Sequence, residues 1–232
     1  MEDMYLRTEA VLGISAVEKL KAANILLLGV GGVGSYCAEA LCRAGIGSFT
    51  LVDPDTVNPT NINRQLVALN STVGMSKVAV MKARMLDINP SCHVNIIKDS
   101  FGEEYDCENP VDFSQYDYVV DCIDSVDDKI YTICKATEAG VNIISSMGAA
   151  NKIDPSLFTI TDIYKTTNCP LAKVMRRKLR EKGIKALKVA FSTEIPRATT
   201  MPGMPLGSLS FVPSACGLVI AGEVIRNIAG AN

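Results

Sequence analysis

The chain has few of the residues on which nucleophilic and metal chemistry usually depend. It contains one histidine, His93, in 232 residues, and no two of its eight cysteines form a Cys-x-x-Cys pair. A lone histidine at the start of an alternating, strand-like stretch is more often structural than catalytic. Scattered single cysteines predict reduced and mostly buried thiols. We therefore expect neither a histidine-based catalytic triad nor a cysteine-rich zinc site.

Signals for export or membrane insertion are also missing. Four charged residues fall within positions 2–9, where a signal peptide would need an apolar core. The longest apolar stretches, 25–33 and 212–221, are too short or too rich in glycine and proline to span a bilayer. The sequence thus predicts a cytoplasmic protein with no membrane span.

The composition is that of a chain that folds. Hydrophobic residues make up 48% of the sequence and charged residues 21%. Such a chain can bury a full core, and its length is near that of one large domain. We predict a single domain over 1–232, with a core at 1–150 and an extension at 151–232.

Apolar, β-rich runs alternate with helical patterns through the first two thirds of the chain. Because neighbouring parallel strands require crossover connections, this order predicts a mostly parallel, Rossmann-like α/β sheet with helices on both faces. The predicted strands are 24–30, 48–53, 94–97, 116–121 and 141–145, and the predicted helices are 33–44, 77–89 and 127–139.

The last third has a different order of elements. Its final apolar residues recur at helical spacing, which predicts a closing helix packed on the sheet. A stretch rich in proline, glycine and methionine precedes that helix and predicts an irregular loop. The predicted elements are a strand at 157–164, a basic helix at 171–182, a strand at 187–193, the loop at 195–207 and the closing helix at 213–228.

The first strand runs into a glycine-rich turn and then a helix, which is the setting of a phosphate-binding loop. Its glycines, Gly29, Gly31, Gly32 and Gly34, would let backbone N–H groups and the helix N-terminus approach a phosphate. Asp53 follows the next strand, where an acidic side chain accepts hydrogen bonds from ribose hydroxyls. These features predict a nucleotide site and leave NAD, FAD and ATP open.

Three further residues indicate which of these three nucleotides the site binds. Hydride transfer needs no cations or second carboxylate at the phosphate end of the site, whereas nucleotidyl transfer does. Arg64 and Lys77 could neutralise the charge that develops as pyrophosphate leaves, and Asp124 could hold Mg²⁺. Together, at the carboxyl edge of a parallel sheet, they favour ATP.

The series GVGGVG, DPDTVNPTNINRQ, VGMSK, INP and DCIDS resembles the superfamily of ThiF, MoeB and the ubiquitin-activating enzymes. The resemblance implies an adenylating enzyme whose nucleotide-binding core is 1–150. Arg7 resembles the N-terminal arginine that in this superfamily reaches into the partner subunit's ATP site, which implies a homodimer. The residues implied for catalysis are Arg7, Arg64, Lys77 and Asp124, with Asp124 also at the metal, and those implied for the nucleotide further include Asp55, Asn61 and Ser125.

The extension, from GAANKIDPSLFTITDIYKTTNCPLAKVM to VAFSTE, resembles the branch of this superfamily that dehydrates threonylcarbamoyladenosine in tRNA. This implies that ATP activates the carboxylate of the threonyl group as an acyl-adenylate, and that the carbamoyl group then closes onto it. The sulfur-carrier activators usually have paired Cys-x-x-Cys zinc ligands, which this chain lacks. It departs from the branch at Cys169, where an acidic residue is expected, and at Ser208 and Ser210, which occupy the region of a cysteine found in some members.

Positive charge is concentrated in one segment of the extension. Residues 173–188 include eight basic residues and one acid, so the segment carries +7 in a chain of net charge −2. A basic stripe along the helix suits a nucleic-acid phosphate backbone, and an ordinary solvated helix face gives the same pattern. The stripe residues are Lys173, Arg176, Arg177 and Arg180, and the predicted buried stripe is Leu171, Val174, Met175 and Leu179.

Two other functions fit the same core. One is an adenylyltransferase that activates the C-terminal glycine of a small sulfur-carrier or ubiquitin-like protein. The other is a nucleotide-binding scaffold in sulfur trafficking that performs no turnover and pairs with a cysteine desulfurase or a sulfur acceptor. Pyrophosphate release that depends on modified tRNA would separate both from the tRNA reaction.

Overall fold

The computed structural model describes residues 4–201, 203–204 and 206–231, and its centre is a sheet of seven strands. The strand order is β3-β2-β1-β4-β5-β7-β6, and every neighbouring pair is parallel except β6 and β7. The strands are β1 (Asn24–Leu28), β2 (Ser48–Val52), β3 (His93–Ile97), β4 (Tyr118–Asp121), β5 (Asn142–Ser146), β6 (Phe158–Asp162) and β7 (Lys188–Ser192).

Helices cover both faces of this sheet, as the alternation of strand side chains requires. Ile25 and Leu27 of β1 face one helical layer, whereas Leu26 and Leu28 face the other, and all four are fully buried. The helices are α1 (Leu6–Leu12), α2 (Ile14–Ala22), α3 (Gly34–Ala44), α4 (Lys77–Ile88), α5 (Glu103–Glu108), α6 (Val126–Glu138), α7 (Pro170–Glu181) and α8 (Phe211–Ala229).

The predicted α/β fold is confirmed. Helices α2 and α5 were not predicted, and the other differences lie mainly at the ends of elements. The strand predicted at 24–30 ends at Leu28, because Gly29 turns the chain with φ of +87°. The strand predicted at 116–121 begins at Tyr118, since a short 3-10 turn precedes it. The loop predicted at 195–207 has no regular structure at its described residues, and its Pro202 and Pro205 lie outside them.

Helix α8 is long and mainly apolar, and one side of it is buried in the core. Among the described residues it is the one helix long and apolar enough to cross a membrane by length and composition, a test that a core helix also passes. It packs against α2, α3 and β6, and its Val212, Ile220 and Val224 are fully buried. The helix predicted at 213–228 is thus confirmed as a closing helix on the sheet.

The order of the strands fixes where a ligand can bind. From β1 the chain moves outward through β2 and β3, and it then returns to the other side of β1 for β4 and β5. The connections after β1 and β4 therefore leave the sheet in opposite directions and open a crevice at the carboxyl ends of the strands.

Candidate active site

A cavity of about 990 Å³ occupies this crevice. It is lined by the segments that follow β1, β2, β3, β4 and β5, and by described residues of the segment between β7 and α8. Of the residues predicted to contact the nucleotide, Gly34 alone is not part of the lining. Those that line the cavity are Gly29, Gly31, Gly32, Asp53, Asp55, Asn61, Arg64, Lys77, Asp124 and Ser125.

The glycines of the phosphate loop have two different tasks. A Cβ at Gly29 would lie 2.6 Å from the carbonyl oxygen of Cys122, and one at Gly34 would lie 1.8 Å from the carbonyl oxygen of Gly29. These two glycines let the turn and the start of α3 pack against β4. Gly31 and Gly32 face the cavity instead, so the expected contact role fits them, and for Gly34 the structure shows a packing role.

Asp53 is buried at the cavity wall and forms hydrogen bonds with the loops around it. Its Oδ2 accepts a hydrogen bond from the backbone N–H of Val30 at 2.6 Å, and its Oδ1 accepts one from that of Asp55 at 2.9 Å. Burial raises the pKa of this carboxyl above its ordinary value, although Lys77 and the two backbone donors act in the opposite direction. The residue thus ties the phosphate loop to the end of β2.

Lys77 is the first residue of α4, and its ammonium group is held between two carboxylates. Nζ lies 2.6 Å from Oδ2 of Asp55 and 3.8 Å from Oδ1 of Asp53. The Lys77 side chain is 7% exposed, whereas that of Asp55 is 63% exposed. A buried cation is therefore fixed at the cavity wall with one solvent-facing partner that a phosphate could replace.

Arg64 lies above the phosphate loop. A Cβ at Gly32 would lie 3.6 Å from its Cγ, and its Nη1 donates to the carbonyl of Thr60 at 2.9 Å and to Oδ1 of Asn63 at 2.8 Å. A guanidinium has five N–H donors, so others are left for an anion. The side chain of Asn61 accepts a hydrogen bond from the backbone N–H of Asn58, which caps the short turn that carries Arg64.

The loop after β4 presents Asp124 and Ser125, both exposed, to the cavity. A buried ion pair supports this loop, because Lys129 Nζ lies 3.0 Å from the Asp121 carboxylate and 3.0 Å from the carbonyl oxygen of Ile123. Ser145 donates to the same carboxylate at 2.6 Å. Sequence reasoning missed this network, since a charged residue on α6 is indistinguishable by pattern from a solvated one.

The donor set fits Mg²⁺ only with the help of a bound phosphate. Within the described chain, no group of three or more His, Cys, Asp or Glu side chains could hold a metal ion. Mg²⁺ is commonly held by one or two carboxylates together with substrate phosphates. Asp124 supplies one such carboxylate at the cavity wall, so the metal role of this residue stays a prediction.

The sequence profile of the ThiF family matches residues 5–232. The chain belongs to the ThiF family.

Similar proteins agree with this ThiF assignment over nearly the whole chain. The tRNA threonylcarbamoyladenosine dehydratase of Bacillus subtilis (strain 168) is 44% identical over 98% of this chain and 95% of that protein. The E. coli enzyme TcdA, solved in complex with ATP, superposes with a TM-score of 0.88 at 34% identity, covering 98% of this chain and 94% of that one. The same enzyme in complex with AMP gives a TM-score of 0.89 over 97% and 93%.

Helix α7 of this ThiF-family chain carries the predicted basic stripe, but its four cations are not equivalent. Lys173 and Arg177 are exposed. Arg176 is half-buried and donates to the carbonyl of Thr166 at 3.0 Å, and the guanidinium of Arg180 lies 5.0 Å from the ring centroid of Tyr164. Arg176 and Arg180 are therefore held by contacts to Thr166 and Tyr164, and Lys173 and Arg177 do not make those contacts.

The predicted buried stripe of α7 is partly wrong. Met175 and Leu179 are fully buried, but Val174 is 37% exposed and fully buried Ala172 packs in its place. The helix begins one residue early, at Pro170, with Cys169 as its N-cap. The buried face is set by the packing of α7 against a second core cluster, which takes Ala172, Met175 and Leu179. Cys169, the departure from the branch pattern, is itself buried.

Arg7 lies outside its own cavity. It is exposed on α1, a helix that contributes no buried residue to the described fold. The structure thus does not bring Arg7 together with Arg64, Lys77 and Asp124 within one chain.

Several cavity residues were missed by sequence reasoning. Gln65 and Asp128 line it, as do Met204 to Ser208 at the described positions of that segment. Asn151 holds this segment, since its backbone N–H donates to the carbonyl of Gly207 at 2.9 Å and its Oδ1 accepts from the Gly207 N–H at 2.6 Å. Asn151 has φ of +60°, a conformation that asparagine tolerates well, but this is visible only in the structure.

Proposed function

We propose that this protein dehydrates threonylcarbamoyladenosine in tRNA to a cyclic product at the expense of ATP. The observation that carries the proposal is the cavity, which gathers the predicted ATP residues at the switch point of the sheet. The near full-length similarity to the Bacillus subtilis dehydratase supports the choice of substrate within the ThiF family.

The reaction would proceed in two steps. In the first, a carboxylate oxygen of the threonyl group bonds to the α-phosphorus of ATP, and the bond to the bridging oxygen breaks with its electron pair leaving on pyrophosphate. In the second, the carbamoyl group attacks the activated carbonyl carbon, loses a proton and releases AMP. No protein nucleophile is needed, which is consistent with the scarcity of histidine and the mainly buried cysteines.

The residues of the cavity would act by position and charge. Arg64 and Lys77 would neutralise the departing pyrophosphate, with Asn61 fixing the turn that carries Arg64. Asp53 would accept hydrogen bonds from the ribose with the lone pairs that Val30 and Asp55 leave free. Mg²⁺, held by Asp124 and the phosphates, would supply further charge neutralisation.

A second copy of the chain would complete the site. Helix α1 exposes Leu6 at 62% and Val11 at 82%, and α8 exposes Leu218 at 53%. These side chains are available for apolar contact with a second copy of the chain. Because Arg7 has no place in its own cavity, we infer a homodimer in which α1 directs Arg7 to the partner's cavity.

The tRNA would lie along α7, on the extension 151–232 that we treat as the substrate side of a single domain. Lys173 and Arg177 are exposed there within a segment of charge +7. Phosphate contacts of this kind supply affinity without reading sequence. We also place the protein in the cytoplasm, where its substrate would be found.

Two alternatives remain testable against this function. A carrier-protein activator would use the same adenylation chemistry on a C-terminal glycine, and a scaffold for sulfur trafficking, paired with a cysteine desulfurase, would bind nucleotide without turnover. Neither is favoured by a specific contact in the structure.

The deciding experiment is mass analysis of nucleosides from tRNA incubated with the protein, ATP and Mg²⁺. The expected result is a loss of one water mass from threonylcarbamoyladenosine, with one AMP and one pyrophosphate per product. tRNA that lacks the modification is the control and should give no pyrophosphate. An unchanged nucleoside mass, or pyrophosphate release driven by a carrier protein alone, would refute the proposal.

A further inference from the structure

Gln65 lies in the cavity wall directly after Arg64, and its backbone is fixed on both sides. Its N–H donates to the carbonyl of Asn61 at 2.9 Å, and its own carbonyl accepts from the N–H of Ala68 at 3.0 Å. The residue as a whole is 8% exposed. Its side chain is therefore held in one region of the wall.

The side-chain amide of Gln65 has no hydrogen-bond partner in the described part of the chain. Oε1 is fully buried and receives no hydrogen bond, and Nε2 donates none to any described residue. Buried polar groups are normally paired, because an unpaired one keeps its full desolvation cost. The fold gains nothing from this amide that an apolar side chain of the same size would not provide.

The amide points at the phosphate loop. A Cβ at Gly31 would lie 3.8 Å from Nε2 of Gln65, so the amide and the loop backbone approach the same part of the cavity. Gly31 lies in the turn that leads into α3, three residues before the first helical residue, Gly34. Backbone N–H groups of such a turn and the helix N-terminus favour a phosphate. Lys77 and Arg64 provide the cations of this cavity, and Gln65 adds a neutral donor beside the loop.

We propose that Gln65 is a catalytic residue that donates from Nε2 to a non-bridging oxygen of the α-phosphate. This rests on the proposed function. As the carboxylate oxygen bonds to the α-phosphorus and the bond to pyrophosphate breaks, negative charge builds on the non-bridging oxygens. A donor that is already in place and shielded from water stabilises that charge more in the transition state than in bound ATP. Because the amide is neutral, it adds no ion pair that would slow the release of AMP.

The test compares Gln65→Met, which keeps size and removes the amide, with the wild type. We expect kcat for tRNA-dependent pyrophosphate release to fall about 100-fold, as for the loss of one preorganised donor, while the KM for ATP changes by less than about 3-fold. The melting temperature should stay equal or rise, because the unpaired buried acceptor is gone. Gln65→Asn, whose amide is withdrawn by one methylene, should show the same loss of kcat.

The outcomes separate this proposal from the proposed function. If the wild type releases pyrophosphate and Gln65→Met keeps its kcat, the catalytic role of Gln65 is wrong and the proposed function stands. If Gln65→Met lowers the melting temperature and weakens ATP binding as much as it lowers kcat, the role of Gln65 is structural and the proposal is wrong as well. If the wild type releases no pyrophosphate with modified tRNA, both fail.

Discussion

At the scale of single residues, the cavity combines positions that pack the turn with positions that face the ligand. Gly34 and Gly31 belong to the same glycine-rich motif, yet a methyl group would meet backbone at 1.8 Å at the first and only the Gln65 amide at 3.8 Å at the second. The motif alone does not distinguish them. Their substitution should therefore affect different properties.

Gly34→Ala should lower the free energy of unfolding by at least about 1–3 kcal/mol, because the added methyl has no room against the carbonyl of Gly29. Gly31→Ala should leave stability within about 0.5 kcal/mol of the wild type and instead weaken ATP binding, since it fills space on the ligand side. Urea unfolding and calorimetric ATP titration measure the two effects. Equal destabilisation by both substitutions would contradict this division.

Asp124→Ala should abolish pyrophosphate release while leaving stability close to that of the wild type, because the side chain is exposed at the cavity edge. Asp127→Ala, an exposed carboxylate three residues away and outside the cavity lining, is the matched control and should keep its activity. If Asp124→Ala releases pyrophosphate at the wild-type rate at every Mg²⁺ concentration tested, the assignment of Asp124 as a metal ligand is wrong.

At the scale of elements, buried charge connects the end of β4 to α6. Lys129 and Asp121 are both 0% exposed, and the lysine also donates to the carbonyl of Ile123, which leads into Asp124. Because an unpaired buried charge is costly, the pair fixes how β4, its loop and α6 fit together.

Lys129→Met should lower the free energy of unfolding by about 3–5 kcal/mol, since it leaves the Asp121 carboxylate buried without its cation. The double variant Lys129→Met with Asp121→Asn should recover much of that loss, because no buried charge is then left. Urea denaturation of the four proteins in the cycle gives the coupling energy. Additive losses in the double variant would show that the pair is not coupled.

Helix α7 provides the second prediction at this scale. Replacing Lys173 and Arg177 by Ala should weaken tRNA binding and flatten its log–log salt dependence by about one unit per lost contact. The same charge change at Arg43 and Lys82, on α3 and α4 at the opposite face of the sheet, should leave both unchanged. If the two double variants bind tRNA equally well, α7 has only a solvated basic face.

At the scale of the whole molecule, the question is whether one chain makes a complete site. Arg7 is exposed on α1 and does not line its own cavity, while apolar side chains of α1 and α8 are open to solvent. A second copy would resolve both features.

Mixing Arg7→Ala with Asp124→Ala should restore activity that neither variant has alone. In a mixed dimer, the Arg7→Ala subunit keeps its own Asp124 and receives Arg7 from its partner, so random mixing should restore roughly a quarter of the wild-type activity. Sedimentation should show a dimer for each variant. No restoration after exchange of subunits, or a fully active monomer, would contradict the shared site.

Alternating apolar periods and glycine spacing are local properties, so the sequence alone predicted the α/β class and the phosphate loop, and the resemblance of its motif series indicated the family. The sequence also predicted Asp53, Arg64, Lys77 and Asp124 as site residues, and the structure places all four in the lining of the cavity, while their roles stay predictions. The sequence could not tell the packing glycine Gly34 from the ligand-facing Gly31, nor a buried Lys129 from a solvated lysine. Those differences depend on which segments the strand order brings within a few ångströms of each other.

The tertiary structure likewise decided what individual residues within a motif or a stripe contact. Gln65 ends the motif DPDTVNPTNINRQ, but only the fold shows that its amide lies beside Gly31 with Oε1 buried and unpaired among the described residues. Arg176 and Lys173 look equivalent on a helical wheel, but only Arg176 reaches Thr166. In each case burial and contact depend on distant parts of the chain, because a side chain's neighbours are set by the packing of the whole sheet and its helices.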